Sequence, residues 1–318
     1  MDNLCHTLVG AALGEAGLKR RTRFGSATLM IASNLPDLDV LVMATSAPAV
    51  AFRRGWTHGV LAQLLLPAAL TVVVAGIARY RSRRSAQPGT GAAEAVPVNF
   101  GVLLILSYTG MLLHVFLDFL NNYGVRLLMP LQRTWFYGDA LFIIDPWLWL
   151  ALGGGVWLAR RQRLPRPAIG AVVAAALYIA VMLVGARAAR GIVAEAWTAA
   201  NGAPPHALMV GPLPVTPFRR AVIIDAGDRY VTGTFTWFPT GVQFDAQTVA
   251  KGDGDARVAA ARQAPSVRPF LVWSRFPYWT FEPVEGGTRV SVGDMRFADA
   301  LAARFGRGRF SASVVVPD

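Results

Sequence analysis

Charged residues are scarce in this sequence, and apolar residues dominate it. Only 16% of the 318 residues are charged, whereas 54% are hydrophobic, and the mean hydropathy is +0.41. A soluble domain of this length needs far less apolar surface. The composition therefore predicts a membrane protein.

Cysteine is almost absent from the chain. Cys5 is the single cysteine, which excludes an intramolecular disulfide, and we interpret it as a small residue packed near a helix start rather than as a thiolate ligand. A cleavable signal peptide is not expected either. Residues 1–14 lack a basic start and carry Asp2 and His6 before a short apolar stretch, so we expect the first helix to remain in the protein.

Basic residues outnumber acidic ones, 31 against 19, and give a net charge of +12. Nucleic-acid binding would be one explanation of this excess. Much of it, however, lies in short loops that flank apolar segments, where membrane topology and anionic lipid headgroups account for it. We therefore expect the lipid bilayer as a partner and no nucleic acid.

Four apolar segments are long enough to cross about 30 Å of hydrocarbon at about 1.5 Å per residue: residues 57–78, 100–120, 141–158 and 167–186. The third contains Asp145 and Pro146, so its embedded part could begin only at Trp147. Residues 4–18 and 24–34 are predicted to form an N-terminal helical hairpin whose arms are each shorter than a full span.

Arginines are concentrated after two of the predicted spans: Arg79, Arg81, Arg83 and Arg84 after one, and Arg160, Arg161, Arg163 and Arg166 after the other. The positive-inside rule places both groups in the cytoplasm. The opposite ends of these spans should then face the outer side of the membrane.

Imidazole and carboxylate side chains occur at four places in the N-terminal half: His6; Asp37 and Asp39 in NLPDLD; His58 in RRGWTH; and His114 with Asp118 in HVFLD. Zinc, manganese and iron accept such ligands. All of these residues lie at span or hairpin ends remote from most of the basic loops. We therefore expect them to converge on one metal centre, with one or two ions, at the outer membrane interface.

The individual residues differ in how strongly they indicate a metal site. His114 and Asp118 are four residues apart, which places both on one helical face, and burying them unpaired would be costly. A lone histidine near a helix end, such as His58, is often only a hydrogen-bonded interfacial residue. Asp37 and Asp39 would point in roughly opposite directions on a regular helix. Pro36 favours a non-helical turn, in which the pair could bind one ion and brace or bind another. They could instead form a polar loop with a helix N-cap.

The composition changes after Arg190. A proline-rich stretch indicates a linker, and the stretches RYVTGTFTWF, FLVWSRFPYW, TRVSVGDMRF and RFSASVVV read as strands. We predict an α-helical membrane bundle with a smaller β-rich C-terminal domain. The helical metal-binding domain should cover residues 1–190, a helix end and linker residues 191–217, and the β-rich extramembrane domain residues 218–318, on the same side as the metal centre.

Several aromatic residues of the β-rich domain could rest on the membrane surface or line a path for a lipid-like substrate. Core packing is the expected role for at least half of them: Trp273, Tyr278, Trp279 and Phe281.

The order of the motifs DNLCHTLVGAAL, NLPDLD, RRGWTH and HVFLDFLNNYG resembles the bacterial inner-membrane, metal-dependent hydrolases once catalogued only as a domain of unknown function. PFRR and FLVWSRFPYWTFEP resemble the tail of the longer members, so the resemblance covers most of the chain. The chain departs from it at Cys5, where many relatives have threonine, and at Arg53, where many have a histidine before an arginine. The resemblance implies a hydrolase of the bacterial inner membrane.

The ligand order is also similar to that of the secreted zinc-dependent phospholipases C. This similarity implies that one zinc ion is bound by four residues, namely Asp37 or Asp39, His58, His114 and Asp118. It also implies that Asp118 and His6 share a second zinc ion. No later HxxxE motif is present, so the similarity does not extend to a third zinc ion.

These residues suggest a hydrolytic mechanism. Two such ions could lower the pKa of a bridging water toward about 7 and hold the oxygens of a phosphodiester. Whichever of Asp37 and Asp39 is not a ligand could accept the proton. Arg54 could bind the phosphate through two hydrogen bonds, or it could instead touch lipid headgroups.

We therefore expect a metal-dependent hydrolase that acts on a phospholipid or another phosphoester. One alternative is a non-catalytic membrane protein in which the same ligands hold a structural metal. Another is a metal transporter, whose ligands would lie near the middle of the bilayer.

Overall fold

The computed structural model describes residues 1–85, 97–298 and 310–317. The chain divides into two compact units: Met1–Leu41 with Arg53–Val184, and Val42–Phe52 with Gly185–Asp318. The first is helical and the second is rich in β-strands, as predicted. Arg309, which begins the fourth predicted strand, lies outside the described residues.

The helices precede the strands along most of the chain. They are α1 (Asn3–Glu15), α2 (Gly25–Ala32), a 3-10 helix (Leu35–Ala44), α3 (Ala49–Phe52), α4 (Val60–Ser85), α5 (Phe100–Phe119), α6 (Pro146–Gln162) and α7 (Arg166–Asn201). Three of them, α4, α5 and α7, are long and apolar enough to cross a membrane. The pair formed by α2 and the 3-10 helix, bent by 49°, raises the number of candidate spans to four.

The predicted span over residues 141–158 differs from the observed helix. Helix α6 begins only at Pro146, because the Asp145 side chain accepts hydrogen bonds from the backbone of Trp147 and Leu148 and so caps the helix. The helix has 17 residues and is not among the candidate spans. The part of the predicted span that precedes Asp145, residues 141–144, is not helical.

The N-terminal hairpin forms, and α2 packs against both α1 and α5. Two glycines allow this close approach. A Cβ on Gly10 would lie 2.9 Å from the carbonyl carbon of Leu29, and one on Gly110 would lie 2.6 Å from Cβ of Ala32. Small residues at such crossings let helix backbones approach closely, and here they bring the ends of the three helices together.

The second unit contains two antiparallel sheets. One has four strands in the order β1 (Ala207–Pro212), β2 (Arg219–Asp225), β3 (Arg229–Trp237) and β4 (Thr240–Ala250). Two short helices follow, α8 (Ala256–Gln263) and α9 (Arg268–Trp273). The other sheet has three strands in the order β5 (Pro277–Val284), β6 (Gly287–Asp294) and β7 (Ser311–Val316).

The four-stranded sheet is covered on both faces because alternate side chains of a strand point to opposite sides. On one face, Val210 and Val222 pack against Trp197 in the C-terminal part of α7. On the other, Met209 and Ile223 pack in a cluster that also contains residues near β5 and β6. Burial on both faces therefore explains why β1 and β2 are nearly continuous apolar runs rather than alternating ones.

Two expectations about this unit need correction. Strand β1 lies within residues 191–217, where the prolines indicate a linker. The FLVW stretch is the helix α9 rather than a strand, because Pro269 starts a helical turn that buries Phe270 and Trp273. Of the four aromatic residues considered for a lipid path, Trp273 and Trp279 are buried, which confirms core packing for half of them.

Candidate metal centre

Four histidine and aspartate side chains from three parts of the first unit meet in one buried cluster. Each offers a ligand atom that lies within 4.8 Å of the others: Asp37, His58, His114 and Asp118. Asp37 lies in the 3-10 helix, and His58 lies two residues before α4. His114 and Asp118 lie on one face of the last two turns of α5, as their spacing predicts. We refer to these four residues as the buried cluster.

A backbone carbonyl fixes the orientation of His114. Its Nδ1 lies 2.8 Å from the carbonyl oxygen of Ser33, at the end of α2. Because a carbonyl oxygen only accepts hydrogen bonds, Nδ1 carries the hydrogen and donates it. The lone pair of Nε2 therefore points into the buried cluster.

A hydroxyl and a carboxylate fix the orientation of His58 in the same way. Its Nδ1 lies 3.0 Å from Oγ1 of Thr57 and 3.5 Å from Oδ2 of Asp39. The Thr57 hydroxyl is 3.2 Å from the same carboxylate oxygen, so Nδ1 can donate to Thr57 while Thr57 donates to Asp39. Metal-binding histidines are typically held by such a second hydrogen bond. This arrangement leaves Nε2 of His58 as an acceptor.

Three acceptor atoms consequently face one another. Nε2 of His58 lies 3.1 Å from Nε2 of His114 and 3.2 Å from Oδ2 of Asp118, and Nε2 of His114 lies 3.6 Å from that oxygen. Such atoms repel one another unless a cation lies among them. Two atoms that each bind zinc at 2.0 to 2.1 Å are at most about 4.2 Å apart, and the two imidazoles meet this limit.

The two oxygens of Asp118 face different groups. Oδ2 faces His58 and His114, whereas Oδ1 lies 3.3 Å from Nε2 of His6 and contacts the amino group of Met1. The His6 ring is buried and stacks on His114 with ring centres 3.8 Å apart. Among the described residues, neither ring nitrogen of His6 has a partner with hydrogen-bond geometry. A second ion shared by His6 and Asp118 remains a prediction that this arrangement favours.

The two aspartates of NLPDLD have different surroundings. Oδ1 of Asp37 lies 3.9 Å from Nε2 of His114, within the buried cluster. Asp39 lies behind His58, and its Oδ2 also accepts a 2.7 Å hydrogen bond from the backbone nitrogen of Arg54. The segment that carries both is a 3-10 helix rather than the expected non-helical turn. Arg53 approaches both carboxylates, at 3.7 Å from Asp37 and 3.3 Å from Asp39.

Arg54 is buried, with only 3% of its surface exposed, so contact with lipid headgroups does not describe its place in the fold. Its Nε lies 3.0 Å from Oδ2 of Asp118, and its Nη1 donates a 2.8 Å hydrogen bond to Oδ1 of Asn121. The guanidinium also lies over the ring of Tyr123, 4.8 Å from its centre. Arg54 thus offsets the negative charge of Asp118, the carboxylate that faces both His58 and His114.

Cys5 is buried near this region and keeps the role of a small packing residue. Burial raises the pKa of its thiol to about 12, so the thiol is protonated at neutral pH. Ser33, Thr57 and Asn121 contact the candidate site although no motif in the sequence predicts a role for them. Thr57 and Asn121 lie inside the motifs RRGWTH and HVFLDFLNNYG, and their position beside predicted ligands was the one signal available.

The sequence model of a protein family described as YdjM inner membrane protein matches residues 1–189. This range includes every predicted ligand. The description agrees with the expected inner-membrane location and does not extend to hydrolysis. No curated protein and no solved structure matches the chain.

Proposed function

Given that the chain belongs to the YdjM inner membrane protein family, we propose that it is a membrane-bound, metal-dependent hydrolase. The proposal is carried by the two imidazole Nε2 atoms that lie 3.1 Å apart, beside a shared carboxylate. Both rings are held so that these atoms are acceptors, and a divalent cation is the partner that this donor set fits.

The residues that would hold the ion are Asp37, His58, His114 and Asp118. Two nitrogens and two carboxylate oxygens suit zinc, and they also suit manganese or iron. An ion bound there would acidify a water molecule and stabilise negative charge on a phosphoryl group. A second ion between His6 and Asp118 is part of the same proposal.

The other residues would position these groups. Asp39 and Thr57 hold His58 in the tautomer that binds a cation. Because Arg53, Arg54 and Thr57 already donate to or contact Asp39, we assign Asp39 this orienting role rather than that of a proton acceptor. We assign to Arg54, whose Nε lies 3.0 Å from Asp118, the binding of a substrate phosphate.

The substrate class we propose is a phospholipid or another phosphoester. Among the alternatives, a transporter would carry its ligands near the middle of its spans, whereas His58 precedes α4 and Asp118 lies in the last turn of α5. If the metal ion were only structural, the same residues would bind it, but the protein would not turn over a substrate.

Turnover therefore tests the proposal. Purified protein should hydrolyse a chromogenic phosphodiester, lose this activity on chelation, and regain it with zinc or manganese. The variant His114→Ala serves as the control for contaminating hydrolases. Stoichiometric metal without turnover, on either this substrate or a lipid extract, would favour the structural metal site.

A further inference from the structure

A second buried arginine lies beside Arg54. Arg126 is in the segment between α5 and α6 and is 4% exposed. Its backbone nitrogen donates a 2.9 Å hydrogen bond to the carbonyl of Arg54. Its guanidinium packs so tightly on Gly55 that a Cβ there would lie 2.3 Å from Nη2. The ring of Trp135 covers it from 4.8 Å. Two guanidinium groups are thereby held along one stretch of backbone.

The side-chain amide of Asn121 contacts the guanidinium of Arg54. Its Oδ1 accepts hydrogen bonds from Nη1 of Arg54 at 2.8 Å and from the backbone nitrogen of Tyr123 at 2.9 Å. These bonds fix which way the amide points. Its Nδ2 is buried and has no hydrogen-bond partner in the part of the chain that the structure describes. A buried donor left unpaired is costly, so this nitrogen indicates an acceptor supplied from outside the chain.

The charges around the buried cluster favour an anion. The three carboxylates of Asp37, Asp39 and Asp118 are contacted by the guanidinium groups of Arg53 and Arg54 and by the amino group of Met1, and Arg126 adds a further guanidinium beside Arg54. The histidines are neutral when they bind a cation. One divalent ion would therefore leave an excess of at least two positive charges around the buried cluster, where charges interact more strongly than in water.

We propose that Arg54, Arg126 and the Nδ2 amide of Asn121 form a subsite for a phosphoryl group, beside the buried cluster. Guanidinium groups bind phosphate oxygens through paired, charge-assisted hydrogen bonds, and the amide supplies one further donor. Burial lowers the pKa of Arg126, and the charge of the neighbouring Arg133 lowers it further. A bound anion would oppose both effects by stabilising the charged guanidinium. This proposal rests on the proposed function, because that function supplies the metal ion next to the subsite. In it, Arg126 and Asn121 are substrate-positioning residues.

The test is calorimetric titration of the full-length, zinc-loaded protein in detergent with inorganic phosphate. Arg126→Gln should weaken phosphate binding at least about tenfold, with Arg126→Lys intermediate because lysine lacks the planar fork. Asn121→Asp, which replaces the donor by an anion, should abolish it. Arg229→Gln removes an exposed arginine of the second unit and should bind phosphate as wild type does.

Metal content and thermal unfolding of each variant show whether the fold survives. Wild-type phosphate affinity in a folded Arg126→Gln protein would overturn the subsite, as would a wild-type protein that binds neither inorganic phosphate nor a short-chain phosphatidic acid. Binding of both ligands supports a soluble phosphoester, and binding of the phosphatidic acid alone supports a lipid headgroup. Phosphate binding by a protein that takes up no metal would leave the subsite standing and refute the proposed hydrolase.

Discussion

The Nε2 atoms of His58 and His114 lie 3.1 Å apart, and neither ring is free to turn away. Ser33 holds the other nitrogen of His114, and Thr57 with Asp39 holds that of His58. A buried site that orients two acceptors toward each other is preorganised for a cation.

Replacing His114→Ala should remove most of the bound metal, because it deletes one of two imidazole ligands and leaves its neighbours too few to hold the ion. The protein should still insert into the membrane, since α5 keeps its apolar surface. Metal analysis of the purified protein checks this, with His206→Ala, an exposed histidine of the second unit, as the control. Full metal stoichiometry in the His114 variant would contradict the site.

Asp39→Asn and Thr57→Val should each weaken metal binding without removing a ligand. Loss of the group that orients a metal-binding histidine typically costs 10- to 100-fold in affinity, so we expect a change of about that size. Competition with a chromogenic chelator measures it. Asp228→Asn, at a side chain that is 77% exposed, is the control. An unchanged affinity in both variants would show that His58 needs no such support.

The sequence could predict the pairing of His114 with Asp118, because helical periodicity alone puts them on one face. It could not decide between Asp37 and Asp39. Which of the two faces His114 depends on the 3-10 helix, in which side chains two residues apart point in different directions. It also depends on the position of Thr57, which binds Asp39. Arg126 is 72 residues from Arg54 along the chain, and no local pattern connects them.

The second unit shows why strand predictions failed in part. The apolar residues of FLVW satisfy either a strand or a short buried helix, and Pro269 together with the burial of Phe270 and Trp273 favours the helix. Strand β1 was obscured by the surrounding prolines. It forms because Leu208 and Val210 pack on α7, a tertiary contact that its own sequence does not reveal.

Gly110→Ala should destabilise the first unit and reduce its metal content. The added Cβ would lie 2.6 Å from Cβ of Ala32 and push α2 from α5 one turn before His114. Overpacking of this kind typically costs 1 to 3 kcal/mol, roughly. Thermal unfolding in detergent and metal analysis would detect it. Gly76→Ala on α4, where nothing lies within 4 Å of the new Cβ, should have little effect. Equal stability and metal content of the two variants would show that the close packing of α2 on α5 does not position the site.

Asp294→Asn should destabilise the second unit in a pH-dependent way. Burial alone would raise the pKa of Asp294, but the guanidinium of Arg296, at 2.8 Å, and further hydrogen bonds lower it below its ordinary value. A lowered folded pKa gives stability that is present above the unfolded value of about 3.9 and is lost as the pH falls through the folded value.

Breaking this buried pair should cost about 3 to 5 kcal/mol near neutral pH, and the difference from wild type should shrink below about pH 4. Tryptophan fluorescence during thermal unfolding measures both. Asp228→Asn, which breaks an exposed pair with Arg229, is the matched control. A difference that stays constant down to acid pH would assign the effect to packing instead of charge.

The metal site and the second unit should both face the periplasm, because the arginines at the ends of α4 and α6 favour the cytoplasm. Cysteine labelling can test this, since Cys5 is fully buried and should give little background. A membrane-impermeant maleimide should label Gln132→Cys and Gly254→Cys in spheroplasts. Gln162→Cys, at the exposed end of α6, should react only after permeabilisation. Protection of either of the first two sites in spheroplasts, or labelling of the third, would reverse the orientation and place the hydrolase reaction in the cytoplasm.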